Sequence, residues 1–330
     1  PPSVPSIAVL PFADLSQQRD QEYFSEGLSE EIRNALARLD GLRVAGHASA
    51  SSFKGKREDL PSIGEKLNVG AVLEGSVRRD GSRVRVTAQV SEVKGGTQLW
   101  SQNYDRELTD IFAMQDEIAA AVVAALRVKL MPGQEPSTQA YRTANPEVYN
   151  QYLIGHRFFG RESKDGMRRA VEAFDRAVAL EPSYAPGQAG LGLALVLDGL
   201  FNWTEAGWAD RGQRALDAAE RAVALAPDLA EASATRGKAR SWIAWDWVGA
   251  QADLERAVRL NPGDALVQQQ YSALLASLGR LPEAITAGRR ATELDPLRGN
   301  AWQLLGYWYN LNGQFDLAGP ALDRALELNP

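Results

Sequence analysis

The sequence predicts an α+β amino-terminal domain, in the order β-α-β-α-β-β-β-α, followed by an all-α solenoid of helical hairpins. Three observations carry this. Phe24, Leu28, Ile32 and Leu36 recur every four positions, and apolar and polar residues alternate after Asp80-Gly81. In the second half five segments end alike, on prolines 45, 35, 34 and 34 residues apart. Residues four apart share a helical face, residues two apart share a strand face, and a fixed period of a few tens of residues marks stacked repeats. The expected boundaries are residues 1–131 for the first domain, 132–144 for a Pro/Gly-rich linker and 145–330 for the solenoid. Such a linker permits motion between the halves.

Ile7-Ala8-Val9-Leu10-Pro11-Phe12 is an apolar run closed by proline and reads as a buried strand. The helix after it presents Phe24, Leu28, Ile32, Leu36 and Leu39 on one face and stops at Gly41. Residues 42–45 read as a second short strand and residues 62–67 as a short helix. The period then changes to two. Residues 71–77 lead into Asp80-Gly81, after which Val84, Val86, Ala88 and Val90 alternate with Arg83, Arg85, Thr87 and Gln89. Asp-Gly between alternating runs predicts a tight hairpin, because both residues tolerate positive φ. Gly95-Gly96 turns the chain into Gln98-Leu99-Trp100-Ser101, which completes a three-stranded meander with one buried face. A last helix, about residues 110–130, aligns Ile111, Met114, Ile118, Val122 and Leu126, with Asp110 or Thr109 as its N-cap.

Four segments of this half carry a resemblance. Ser6-Ile-Ala-Val-Leu-Pro-Phe12, Glu22-Tyr-Phe-Ser-Glu-Gly-Leu-Ser-Glu-Glu-Ile32, Val72-Leu-Glu-Gly-Ser-Val-Arg78 and Leu99-Trp-Ser-Gln-Asn-Tyr-Asp105 resemble the TolB amino-terminal-like (FlgO-related) domain. The resemblance covers about residues 6–130. It implies a bacterial multidomain regulator in which this domain precedes helical repeats. A winged-helix, class III adenylate cyclase or Ser/Thr kinase domain would lie upstream. The family supplies no catalytic residues to carry over. The chain opens on Pro1-Pro2 without Met and stops at Asn329-Pro330, so it is expected to be a piece of a longer protein.

The repeated endings are Ala177-Val-Ala-Leu-Glu-Pro182, Ala222-Val-Ala-Leu-Ala-Pro227, Ala257-Val-Arg-Leu-Asn-Pro262, Ala291-Thr-Glu-Leu-Asp-Pro296 and Ala325-Leu-Glu-Leu-Asn-Pro330. In the last repeat Trp302, Leu305, Gly306 and Tyr309 mark a first helix, Gly313 a turn, and Ala318, Leu322 and Ala325 a second helix. This pattern resembles the tetratricopeptide repeat (TPR), whose period is about 34 residues. Small residues let paired helices approach, and proline ends each hairpin. The earlier repeats keep Ala170, Phe174 and Ala177, then Ala215 and Ala222, then Ala250, Leu254 and Ala257. The first begins near Asn145-Pro146 and carries Phe158 where glycine is usual. The wide 45-residue spacing places extra residues around 201–208. About five repeats are expected.

A net charge of -6 and a pI near 5.2 argue against a broad nucleic-acid or anionic-membrane surface. The chain has no cysteine, so disulfides, thiolate nucleophiles and Cys-based zinc sites are excluded. No window reaches the roughly 18 apolar residues of a membrane helix. The compartment stays open: cytoplasmic by default, periplasmic if a membrane span precedes Pro1.

The residues that could carry chemistry have structural readings. His47 and His156 are single histidines without a second metal ligand nearby in sequence. Lys54-Gly55-Lys56 lacks the glycines of a phosphate loop, and Gly187, Gly190 and Gly192 fall inside a repeat helix, where they permit packing. Glu30-Glu31 and Asp116-Glu117 read as solvated helix faces, and Arg83 and Arg85, beside Arg78 and Arg79, as the wet face of a sheet. Phe201, Trp203, Trp208, Trp242, Trp245 and Trp247 read as packing of an irregular hairpin, with an exposed partner surface as the sharper alternative. No catalytic, metal or cofactor residue is expected. The TPR register turns Thr235, Gln269, Asn300, Gln303, Tyr307 and Asn310 toward the concave surface, where amides and a phenol suit an extended peptide. The basic clamp that chaperone-binding TPR proteins use for acidic C-termini is missing.

The expected function is therefore a non-catalytic interaction and regulatory module that binds a protein or peptide. It neither binds nucleic acid nor inserts in a membrane, and its oligomeric state is open. The alternative is the accessory half of a signalling enzyme, a class III adenylate cyclase or Ser/Thr kinase.

Overall fold

The computed structural model describes residues 5–16, 21–39, 41–56, 58–126, 141–159, 163–201 and 207–329. Residues 132–140 of the expected linker, the end of the last helix of the first domain, Trp203, Pro330 and the Phe201 side chain lie outside them.

The first half is built on a mixed sheet. Strand β1 (Ser6–Val9) runs parallel to β3 (Arg43–Val44) on one side and to β4 (Ala71–Asp80) on the other. β5 (Arg83–Glu92) and β6 (Gln98–Glu107) continue from β4 as antiparallel neighbours. A strand with parallel neighbours on both edges is covered on both faces, so it reads as a continuous apolar run. Ile7 and Val9 face one cluster with Leu73, Val84 and Val86, under α1 (Glu22–Ala37) and α4 (Ile111–Ala125). Ala8 and Leu10 face another with Val72, Phe53 and two residues of α3 (Leu60–Leu67), Ile63 and Leu67.

Four details differ from the expectation. Two-residue β2 (Ala13–Asp14) adds a parallel pairing to β4, and five-residue α2 (His47–Ser51) follows β3. Both are too short to show a period. The hairpin turn is Gly81-Ser82, not Asp80-Gly81: Asp80 pairs with Arg83, and only Gly81 takes positive φ, 58°. Asp110 does precede α4, but its side chain makes no cap bond.

Among the described residues the second half holds five consecutive helical hairpins: α5 (Pro146–Phe159) with α6 (Lys164–Leu180), α7 (Ala185–Phe201) with α8 (Trp208–Leu225), α9 (Ala230–Ala239) with α10 (Trp247–Leu260), α11 (Ala265–Ser277) with α12 (Leu281–Leu294), and α13 (Gly299–Leu311) with α14 (Phe315–Leu328). Glycines allow the helices to touch. A Cβ on Gly155 or Gly190 would sit 2.6 or 2.5 Å from the Phe174 ring, and one on Gly306 would sit 2.7 Å from Leu322. Gly155, one turn before Phe158, thus takes the packing place that the repeat spacing assigned to Phe158. Between α9 and α10 the chain makes a wide π-turn, Arg240–Ala244, and Trp245 follows at φ 56°. The buried Asp253 carboxylate holds that turn, accepting from Arg236 Nη2 at 2.6 Å and Arg240 Nη1 at 3.0 Å.

The halves share one core. Phe24, Leu28 and Ile32 of α1 pack with Val148, Tyr149, Tyr152 and Leu153 of α5 and with Phe174. The first helices of the repeats face α1 and α2, so the sheet domain lies on the inner side of the array.

Candidate functional site at the seam of the two halves

The seam has two closely fitted ends. At one, Gly27 of α1 lies under Leu153, where a Cβ would come within 2.4 Å of Leu153 Cδ2. Tyr149 meets Phe24 edge-on and accepts a 2.8 Å hydrogen bond from Gln115 Nε2. Tyr152 donates to Glu31 Oε1 at 3.3 Å, while Arg157 and Lys54 both pair with Glu22 and Glu26.

At the other end the repeats complete a helix of the sheet domain. The N-cap position of α2 is Gly46, which has no side chain to satisfy the free N–H groups of the first turn. Asp295, after α12, supplies the carboxylate: Ala48 N donates to it at 3.2 Å and Ser49 N at 2.7 Å. Gly46 N donates to Leu294 O at 2.7 Å, and Leu297 N to Ser49 Oγ at 2.8 Å. A Cβ on Gly46 would lie 2.3 Å from Asp295 Cγ, and one on Gly263 would lie 2.6 Å from Ala37 O. The fit requires glycine at both positions.

Between these ends a cavity of about 570 Å³ separates α1 and α2 from α7, α9 and α11. Its charges are arranged unevenly. Arg33 grips Glu30 through Nε at 2.9 Å and Nη2 at 2.6 Å, and His47 Nδ1 lies 2.8 Å from the same carboxylate. Burial opposes the Glu30 charge, but Arg33 and His47 outweigh it and hold its pKa well below the usual carboxylate range. The Glu30 carboxylate raises the His47 pKa against the effect of burial. Burial pushes Glu31 up to about 7 and Glu231 up to about 8, and pushes His156 down to about 4. Glu30 and Glu31 are thus seam residues, not a solvated pair, and His47 and His156 border the same cavity. Among the described residues no group of three or more His, Asp or Glu is placed to hold a metal. No helix among them is long and apolar enough to cross a membrane.

The expected concave residues divide. Thr235 is fully buried and donates to Ala189 O at 3.3 Å, so it presents no surface group; packing against Gly192 on α7 sets its place. Gln269 Nε2 donates to Asn300 Oδ1 at 2.6 Å, and Gln269 Oε1 accepts from Arg298 Nε at 2.8 Å. Gln303, Tyr307 and Asn310 on α13 are exposed, with Gln303 Nε2 donating to Tyr307 OH at 3.0 Å. The arginine stripe is paired within the sheet, as Arg83 and Arg85 both bond Asp105 across the β5–β6 register. Trp208, Trp242 and Trp245 are exposed, and Lys238 Nζ stands 4.5 Å from the Trp242 ring centroid. Sequence reasoning missed Gly46, Glu231, Asn261, Gln270 and Asp295. One signal was available: the residue before the repeat-closing proline is Asn261 or Asp295 in the third and fourth repeats but Ala226 in the second.

Comparison with known proteins places part of this architecture. The tetratricopeptide repeat family model matches residues 299–330. A protein of Rhizobium meliloti (strain 1021) named as a putative adenylate cyclase is 36% identical over 205 residues, which make up 62% of this chain and 35% of that protein. Among solved structures, YrrB, described as a TPR protein with an unusual peptide-binding site, is 24% identical, with 57% of this chain and 87% of that one covered at a TM-score of 0.37. A thermophilic TPR protein of Thermus thermophilus is 21% identical, with 56% and 92% covered at a TM-score of 0.45. The chain therefore carries TPR-type hairpins, and it spans about a third of the length of the curated relative it matches.

Proposed function

We propose that this chain is a non-catalytic protein-interaction and regulatory module, in which the repeats hold the sheet domain on their inner side and offer the last hairpin to a partner protein or peptide. One observation carries the reading. The inner side from α5 to α12 is taken up by α1 and α2, whereas Gln303, Tyr307 and Asn310 on α13 stay exposed. Their amides and phenol can hydrogen-bond an extended backbone. Leu311, 63% exposed on the same helix, adds an apolar anchor. Gln269, Asn300 and the buried Thr235 then support the surface and do not touch the partner. The test is a crosslinking pull-down from host lysate with the chain beside a Gln303→Ala/Tyr307→Ala variant of unchanged circular dichroism. Loss of one captured partner in the variant is the expected result. Equal capture by both would refute α13 as the contact.

A second reading is favoured by the named relative: the chain is the accessory half of an adenylate cyclase whose catalytic domain lies outside it. The first half is then a TolB-like domain that docks or senses, with its matching segments on β1, α1, β4 and β6. Cyclic AMP formation by the longer protein, with and without a Gly46→Val change at the seam, tests it. An accessory role predicts altered activity; identical rates argue against it.

A further inference from the structure

We infer that the cavity between α1 and the first helices of the repeats binds a small organic amine, held by the side-chain oxygens of Asn261 and Gln270 and the carboxylate of Glu231. The inference does not rest on what binds α13. It starts from a shortage of donors. Three cations that line the cavity are already engaged: Arg33 by Glu30 and Asn34, Lys54 by Glu22 and Glu26, and Arg157 of α5 by the same pair of glutamates. Arg38 stands in the field of Glu31 and Glu231.

Along α9 to α11 the reverse holds. Asn261 is 5% exposed and Gln270 6% exposed, both line the cavity, and the amide oxygen of each lacks a hydrogen-bond partner among the described residues. His156 Nε2 also lacks one and lies 3.8 Å from Glu231 Oε1. Buried polar atoms are normally satisfied, so two unmet amide oxygens on one wall point to a missing donor, and His156 Nε2 is a third acceptor in the Nδ1–H tautomer. Water could donate to the amide oxygens, but it brings no charge. Glu231 is surrounded by Glu30, Glu31 and Asp264, with Arg38 as the opposing cation. An ammonium group carries three donors and a positive charge, so it would meet the amide oxygens and let Glu231, which otherwise keeps its proton up to about 8, ionise against it. The volume of about 570 Å³ falls within the roughly 300–1,000 Å³ range of small-molecule sites. Because both halves wall the cavity, an occupant would tighten the seam that Asp295 closes.

The test is calorimetric titration of the full chain with putrescine, beside butanediol and inorganic phosphate. Saturable putrescine binding is expected, weakened about tenfold or more by Glu231→Gln and by Gln270→Leu. Slower hydrogen exchange of the Ala48 and Ser49 amides should accompany it. Glu231→Gln keeps the side-chain shape, so the test survives if Gln270→Leu fails to fold. Butanediol binding as tightly would remove the charge from the argument and overturn the amine class. Phosphate binding lost in Asn261→Leu would mean the amides are turned over and present N–H groups, which also overturns it. No saturable putrescine binding would leave water as the occupant, and binding indifferent to Glu231→Gln would put the amine away from Glu231; either result overturns the inference.

Discussion

Asp295 acts as an N-cap for a helix 246 residues away in the chain. It is 1% exposed, and the two N–H groups it accepts would otherwise face the seam unsatisfied. Removing an N-cap side chain costs about 0.5–2 kcal/mol, and Asp295→Ala should fall at the upper end because the N–H groups are buried. Urea denaturation checks this; a change within about 0.5 kcal/mol, usual for an inert surface site, would refute the role. Asp295→Asn keeps an acceptor and should recover part of the loss. Gly46→Val goes further, since its Cβ meets Asp295 Cγ at 2.3 Å. It should separate the halves at this end and speed hydrogen exchange at Ala48 and Ser49 while helicity is kept. Residues of this kind were not legible in the sequence. Spacing reports partners within a turn or two, and Asp295 reads there only as the residue before a repeat-closing proline. Thr235 shows the converse: its place on the repeat is regular, but Gly192 opposite lets the helices close over it.

At the scale of elements, Phe174 is the wedge of the first two hairpins. It is 1% exposed and fills the space that Gly155 and Gly190 leave on α5 and α7. Phe174→Ala should destabilise the protein by about 3–5 kcal/mol, the range for truncating a buried aromatic residue. Gly190→Val, which would overfill the same space, should cost about 1–3 kcal/mol. Thermal unfolding followed by circular dichroism measures both, and a silent Gly190→Val would deny the close contact. Here the sequence was informative. Four-residue spacing located α1, alternation located β4 and β5, and the repeated prolines located the hairpins. It failed where an element spans too few residues to repeat its period, as in β2 and α2, and where a helix gains residues before its turn, as α5 does. Trp245 at φ 56° was illegible for another reason: a bulky residue takes that conformation only when its surroundings impose it, here the Arg240–Asp253 clasp.

The whole molecule couples its halves through ionisable groups, and this fixes how stability responds to pH. Glu31 and Glu231 are raised by burial to about 7 and about 8, above the unfolded value of about 4.3. The Glu30 carboxylate raises His47 above its unfolded value of about 6.5. Each group binds its proton more tightly when folded, so its contribution is complete below the unfolded pKa and is lost as pH climbs through the folded one. Two groups act in the other direction, but at lower pH. His156, pushed down to about 4, withdraws stability as pH falls from about 6.5 toward 4, and Glu30 does so at still more acid pH. Lys238, lowered to about 8 by burial, contributes its change above that value. In the window from about 6.5 to about 8 the seam groups therefore act together, and stability must fall as pH rises. Denaturation midpoints at the two ends of the window, at constant ionic strength, measure the fall. Glu31→Gln/Glu231→Gln, which is neutral at every pH, should flatten most of it and leave the His47 part. A midpoint that holds steady or rises across the window in the parent chain would mean that these carboxylates are solvated and the seam is open in solution.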